Sequence, residues 1–321
     1  MLLILTGSDD ATADYLVERL NKEGMPFIRL DTNKPTSTLS VGYDAAEMWL
    51  TVNNRVVHIQ DISNIWFRRP TSLNMAGHFA DGERQYVAGE WGAAIEGMLS
   101  HVPIFHWMNH PAYNAVASHK VEQLTRAKAL GFVIPRTIVT QSPARLLKFW
   151  DECDGEVIVK PLLSGYVERT IPSRDALIYT SHVLESHLAR AETLLPKCPT
   201  LFQQMIRKHT DVRITVIDEA IYAVSLRGRD SNGLQRLDIR RNNMESVNYE
   251  IIVLDLKLQS AILDLMKSYQ LRFAAIDMAI QDDGSWIFFE LNPNGQWAWM
   301  DIEGVTDIAS GFVRSFGRQE A

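Results

Sequence analysis

Near its C-terminus the chain reads Trp286-Ile287-Phe288-Phe289-Glu290-Leu291-Asn292-Pro293-Asn294-Gly295-Gln296-Trp297. A hydrophobic run ends in a carboxylate, and an amide oxygen follows two positions later. Residues two apart in a strand share a face, and the Pro-Asn-Gly segment stops the strand. Glu and Asn side by side suit a hard cation such as Mg²⁺, which takes oxygen ligands and usually keeps phosphate oxygens as partners. Asp277 lies in a second apolar run, Phe273 to Ile280, and Asp282-Asp283-Gly284-Ser285 joins the two runs as a turn. That pattern predicts a hairpin, which would bring Asp277 near Glu290 and Asn292. Three oxygen donors on adjacent strands point to a metal–nucleotide site.

Other residues could serve an anionic ligand. Lys160 ends the β-branched run Val157-Ile158-Val159 directly before Pro161. A lysine there can reach a phosphate as a point charge, or simply extend into water. Lys120 falls within a helical pattern, where a solvated position is the ordinary role. Arg213 alternates with apolar neighbours in a strand. If it faces inward it needs an anionic partner; if outward, it would pair with Asp211 or Asp238. Arg240 is a similar candidate. Two arginines and the lysines around a metal would neutralise a triphosphate and a developing acyl phosphate. Gly165 could belong to a phosphate-covering loop, and neither a P-loop nor a Gly-x-Gly-x-x-Gly motif is present. His101, His106, His110 and His119 fit no standard zinc spacing. Cys153 and Cys198 sit in no nucleophile motif. Trp297 and Trp299 either pack or line a peptide-binding face.

These groups need a frame. Leu2–Leu5, a helix over 11–23 and Phe27–Leu30 predict a β-α-β opening and a parallel sheet. Residues 39–58 read as edge hairpins turning at Asn53-Asn54, 62–70 as a strand ending in a basic pair, and 82–101 as a long helix. The N-terminal domain is expected to end near residue 110. A second long helix over 114–130, capped by Gly131, opens the remainder. Strands follow at 134–140, 156–161, 200–206, 211–217 and 221–226, with helices at 143–150, 183–195 and 255–269. The stretch 165–180 is polar and turn-rich, as suits a mobile flap. The chain has 321 residues, 46% hydrophobic and 22% charged, with net charge −7. This is a soluble globular composition without the basic field of a nucleic-acid binder. Two distant cysteines fit a reducing cytosol. The N-terminus reads as a strand rather than a signal peptide, and no apolar stretch approaches membrane-spanning length.

The order of these pieces resembles the ATP-grasp superfamily of carboxylate ligases: a strand-end lysine, a Gln-x-x-Ile strand, an Asp-x-Arg strand, then Asp and Glu-x-Asn. Within it, the chain resembles the ATP-grasp ribosomal peptide maturases that make microviridin-like graspetides. The shared signatures are Ile65-Trp66-Phe67-Arg68-Arg69-Pro70, the helix after Asn109-His110-Pro111 with Lys120-Val121-Glu122-Gln123-Leu124, Gly131 to Thr137, Tyr179-Thr180-Ser181 and Glu290 to Trp297.

The resemblance implies an N-terminal α/β pre-ATP-grasp domain (1–110) followed by a two-lobed α+β ATP-grasp fold (111–321, lobes about 111–205 and 206–321). It implies that Lys120 and Lys160 contact nucleotide phosphates. Gln203, Gln204, Met205 and Ile206 would hold adenine, largely through backbone. Asp277, Glu290 and Asn292 would bind Mg²⁺, and Arg213 and Arg240 would contact the γ-phosphate and acyl phosphate. Asp211 would contact the ribose or orient Arg213. The implied activity is ATP-dependent activation of Asp or Glu side chains of a precursor peptide as acyl phosphates, then closure to macrocyclic esters or amides. The implied partner is a leader-plus-core peptide in the cytoplasm, with neither nucleic acid nor membrane, and a homodimer is allowed. The alternatives are a ligase adding a free amino acid to a protein or small-molecule carboxylate, and an inactive nucleotide-binding regulator.

Overall fold

The computed structural model describes residues 1–44, 46–75, 77, 79–163, 165–167 and 176–318. The chain opens with β1 (Leu2–Thr6), α1 (Ala11–Lys22) and β2 (Phe27–Asp31). A hairpin sheet of β3 (Leu39–Tyr43), β4 (Met48–Val52) and β5 (Arg55–His58) follows, then β6 (Asn64–Phe67), α2 (Asp81–Leu99) and β7 (Trp107–Met108). Strands β2-β1-β6-β7 form a parallel sheet. Leu2 and Ile4 pack on α1 through Ala13, Leu16 and Leu20, while Leu3 and Leu5 face α2 and the hairpin sheet. Both faces are covered, which is why Leu2 to Leu5 of β1 are all apolar. Asn53 and Asn54 adopt φ of 50° and 64°, the left-handed pair that a tight two-residue hairpin turn needs.

Two short helices lead out of this unit, α3 (Pro111–Ala117) and α4 (Lys120–Ala129). The single helix expected over 114–130 is therefore broken at Ser118-His119. Ser118 Oγ donates to Asn114 O at 2.6 Å and Gln123 Nε2 to Ala117 O at 2.6 Å. Asn114 O also keeps the helical bond from Ser118 N at 3.0 Å, whereas Ala117 O takes the Gln123 amide in place of a next-turn N–H. The break puts Lys120 at the first turn of α4 rather than mid-helix. Gly131, at φ 88°, ends α4 as expected.

The next unit contains β8 (Thr137–Thr140), α5 (Pro143–Glu152), β9 (Val157–Lys160), β10 (Tyr166–Val167), β11 (Ala176–Leu177), β12 (Ser181–His182), the one-turn helices α6 (Glu185–Leu188) and α7 (Ala191–Leu194), and β13 (Thr200–Gln204). Its sheet runs β12-β9-β13-β8, all antiparallel. The helix expected over 183–195 is thus two separate turns. Of the expected flap, 168–175 lie outside the described residues, and its flanks pair as β10 with β11.

The last unit is an antiparallel sheet ordered β16-β15-β14-β17-β18, from β14 (Thr210–Ile217), β15 (Ala220–Arg227), β16 (Asn248–Ile251), β17 (Phe273–Ile280) and β18 (Trp286–Asn292). Helix α8 (Leu256–Ser268) buries Ile262, Leu265 and Met266 against Val212, Ile214, Ile276 and Phe288. Helices α9 (Ala298–Ile302) and α10 (Ile308–Gly317) return to the N-terminal domain, where Phe312 packs on Trp66 and Trp297. β18 is an edge strand. Gln123 of α4 closes that edge like a neighbouring strand, giving Nε2 to Leu291 O at 2.6 Å and taking Leu291 N at 3.0 Å.

Candidate active site

The predicted hairpin forms, and its register places the chemistry. Asp277 lies directly opposite Glu290, Ala275 opposite Asn292, and Arg213 on β14 opposite Asp277. Arg213, Asp277 and Glu290 therefore make one cross-strand row, with Asn292 two positions along the same face. The opposite face carries the α8 core, so the polar row faces a cleft of about 380 Å³, a size typical of small-molecule sites. A bulge after Asp277 makes Phe289 an extra residue of β18. Phe289 and Glu290 then both face the cleft, which strict alternation would forbid.

Each carboxylate of the row is held at one oxygen. Arg213 Nη1 bonds Asp277 Oδ1 at 2.8 Å, and Lys120 Nζ lies 3.2 Å from Glu290 Oε2. Asn294 N donates to Asn292 Oδ1 at 3.0 Å, fixing the amide orientation. Burial pushes Asp277 up to about 6, against Arg213. Burial also raises Glu290, but Lys120 and Lys160 more than offset it, and Glu290 ends below the usual carboxylate range. About a third of each carboxylate side chain stays open to the cleft. The second carboxylate oxygens are thus available to a hard cation. Among the described residues no group of three or more His, Cys, Asp or Glu is placed to hold a metal. Two carboxylates and one amide match instead a cation that completes its shell with phosphate oxygens and water.

Lys160 stands over the Phe289 ring, 4.6 Å from its centroid, and lines the cleft without an ion pair among the described residues. Its pKa is pushed down to about 8 by burial, with Lys208 and Lys120 adding and Glu290 opposing. Lys120 reaches the same region from α4, donating to Pro161 O at 2.8 Å. Arg240 grips Asp238 through Nε (2.9 Å) and Nη2 (2.7 Å). That clamp raises Arg240 further above its ordinary value, and Asp238 also accepts from Thr180 N at 3.2 Å.

Asp211 takes Lys208 Nζ at 2.6 Å and Gln235 Nε2 at 2.8 Å, while Arg213 bonds Asp277. In the hinge, Gln204 and Ile206 line the cleft. Gln203 is 2% exposed, donates Nε2 to Thr137 Oγ1 at 3.0 Å, and sits opposite Ile158 on the cleft face of β13. Met205 donates its N–H to Glu156 O at 2.8 Å and does not line the cleft. Trp297 is buried, whereas Trp299 lines the cleft. Sequence reasoning missed Lys208, Gln235, Asp238 as Arg240's partner, and Phe289. The first three lie in loops without periodicity, and the last depends on the bulge.

Segments far apart in sequence meet behind the row. Arg68, 1% exposed, bonds Asn294 O, Gly295 O (3.1 Å) and Gln296 Oε1 (2.7 Å), with Asp10 at 3.2 Å from its Nε. Arg69 donates to Asn294 O through Nε (3.2 Å) and Nη2 (3.0 Å). Asn109 Nδ2 reaches Phe273 O and Pro293 O at 2.9 and 3.1 Å. The Trp-Phe-Arg-Arg strand and the Asn109 segment are thus braces for the turn that ends β18.

Residues 1–114 match the family model of the MvdD pre-ATP grasp domain. No curated protein matches the chain. Among solved structures, the chain is similar to the macrocyclase MdnC bound with precursor peptide MdnA from Microcystis aeruginosa MRC (24% identity, 98% of each chain covered, TM-score 0.84). It is also similar to a Chryseobacterium gregarium RiPP-associated ATP-grasp ligase in complex with ADP and a leader and core peptide (24% identity, 98% of this chain and 94% of that one, TM-score 0.82). A third is the ATP-grasp ligase PsnB complexed with minimal precursor, Mg and ADP (18% identity, 99% and 98%, TM-score 0.72). The chain has an ATP-grasp fold preceded by an N-terminal domain of the MvdD pre-ATP-grasp type.

Proposed function

We propose that the chain is an ATP-dependent ligase that crosslinks a ribosomally made precursor peptide into macrocyclic esters or amides. The observation that carries this reading is the row Arg213–Asp277–Glu290, with Asn292 beside it and Lys120 and Lys160 above. A cleft so lined can hold a triphosphate against an acceptor carboxylate and neutralise both. In support, two of the similar proteins carry precursor peptides or leader and core peptides in their structures, and a third carries Mg and ADP beside its precursor.

In this reading Lys120 and Lys160 contact the phosphates. The hinge strand and the segment to Ile206 seat adenine, and Asp211, steadied by Lys208 and Gln235, is positioned for the ribose. Asp277, Glu290 and Asn292 hold Mg²⁺, which supplies charge neutralisation along the phosphates when bound. An Asp or Glu side-chain oxygen of the peptide attacks the γ-phosphorus, and ADP leaves. A Ser/Thr hydroxyl or Lys amine of the same peptide then attacks the acyl carbon, giving up its proton, and phosphate leaves. Arg213 and Arg240 stabilise the charge of the transferring phosphoryl group and the acyl phosphate. No protein nucleophile is needed, because alignment and charge neutralisation do the work.

Helices among the described residues are all too short or too polar to cross a membrane, and Cys153 and Cys198 are free; the proposal places the enzyme in the cytoplasm. The test is ADP release with Mg·ATP and an acidic precursor peptide. Release that depends on the peptide and disappears in Glu290→Ala supports a ligase. ADP release that no carboxylate peptide stimulates would sink it.

A further inference from the structure

Ion pairing inside the cleft is almost complete. Arg213 is matched by Asp277, Arg240 by Asp238, Lys208 by Asp211 and Lys120 by Glu290. Two cations lining the cleft lack a carboxylate within ion-pair distance among the described residues: Lys160 and Arg69. Lys160 belongs to the nucleotide end already described. Arg69 comes from the N-terminal domain, just after β6, and nothing so far gives it a ligand.

Its setting is built. Nε and Nη2 are spent on Asn294 O, which fixes the guanidinium plane and leaves Nη1 without an acceptor among the described residues. The contact lies two residues beyond Asn292. Burial pushes the Arg69 pKa down, Asp10 opposes this, and Arg213 lowers it further. Arg213 keeps Asp277, whereas Arg69 has no carboxylate within ion-pair distance among the described residues, so an anion placed at its Nη1 would offset the repulsion it feels. Arginine presents a fixed fork suited to planar oxyanions.

Building on the ligase reading, we infer that Arg69 holds the side-chain carboxylate of the peptide that is to be phosphorylated, on the Asn292 side of the cleft away from Lys160. The N-terminal domain thereby supplies a substrate-selecting group as well as a brace. A neutral amide in place of the carboxylate would leave the Arg69 guanidinium without an anion, so the site would discriminate between Glu and Gln.

The test uses a synthetic peptide rich in Asp and Glu and its Asn/Gln isostere, titrated calorimetrically into the full-length protein with Mg²⁺ and a non-hydrolysable ATP analogue. Wild type is expected to prefer the acidic peptide by about tenfold or more, the worth of one charge-assisted hydrogen bond. Arg69→Gln should erase that preference, measured at saturating nucleotide analogue so that any loosening of the Asn294 turn does not enter, and Arg69→Lys should restore part of it. Lys160→Gln should do the reverse, weakening the nucleotide and keeping the preference. Retention of the acidic preference by Arg69→Gln overturns the assignment, as does loss of nucleotide affinity in that variant with the preference intact. A wild type that binds nucleotide but prefers neither peptide refutes instead the acidic-substrate reading on which the inference rests. Thermal unfolding of Arg69→Gln at the wild-type temperature excludes a folding defect as the cause of any loss.

Discussion

Truncating Arg68 to alanine should cost about 3–5 kcal/mol, the range for removing one partner of a buried ion pair. The side chain is 1% exposed and its partner Asp10 5%, so water cannot replace what is lost. Asp10 would keep Thr6 Oγ1 at 2.9 Å and the N–H groups of Thr12 and Ala13 but lose its only ion-pair partner among the described residues. Asn294 O would retain Arg69, whereas Gly295 O would lose the donor Arg68 supplies. Gln296 Oε1 would keep only the Thr12 hydroxyl. Arg68→Lys retains the charge, yet one ammonium cannot span Asp10 and three acceptors across the β18 turn. About 1.5–3 kcal/mol should go there, the scale of a charged hydrogen bond. Urea unfolding followed by tryptophan fluorescence reads both values from the midpoint at constant slope. Because Asn294 N also orients Asn292, Arg68→Lys should weaken Mg·ATP binding without touching the ligand. An Arg68→Ala protein within about 1 kcal/mol of wild type would refute the bracing role, and with it the physical reason that two segments far apart in sequence go together.

Glu290→Gln should leave unfolding nearly unchanged, since the side chain is a third exposed, while cutting peptide-dependent ADP release by about 10²–10³-fold; retention of a tenth of wild-type turnover would remove Glu290 from the site. Mg·ATP affinity should weaken on the acid side as Asp277 takes its proton near about 6. It should also fall about tenfold one pH unit above about 8, where Lys160 loses its charge. Lys160→Arg should abolish this alkaline fall, and a wild-type affinity unchanged to pH 9.5 (roughly 1.5 units above the shifted pKa) would contradict it. Asp301, 9% exposed, takes Thr306 Oγ1 at 2.6 Å and the N–H groups of Ile308 and Ala309 at 2.8 Å each. Asp301→Ala should cost about 2–4 kcal/mol, read by urea unfolding, because it loosens α10 and the Phe312–Trp297 stack.

The site's centre was legible because a strand's alternation and a short turn are local properties. Glu290 and Asn292 share a face by spacing alone, and a four-residue turn leaves little choice of partner for Asp277. The parallel β1-α1-β2 opening was readable for the same reason. What the sequence concealed depends on contacts between distant segments. The break at Ser118-His119 follows from Gln123 bonding Ala117 and the edge strand at once, and neither bond has a periodic signature. Lys208 and Gln235 reach Asp211 from loops, so Asp211 looked free to serve Arg213. The bulge that turns Phe289 into the cleft is an irregularity of pairing rather than of composition. Arg68 and Arg69 stood out as a basic pair, but only the fold divides them into a buried brace and a cleft-facing group.

The central claim, condensation of peptide side chains driven by ATP, is tested most directly by mass spectrometry of a candidate precursor peptide incubated with the protein, Mg²⁺ and ATP. Successive losses of one water per ring closed are expected, dependent on ATP and absent with Glu290→Gln. A peptide that gains the mass of an added amino acid, or that stays unchanged while ATP is consumed, would contradict it.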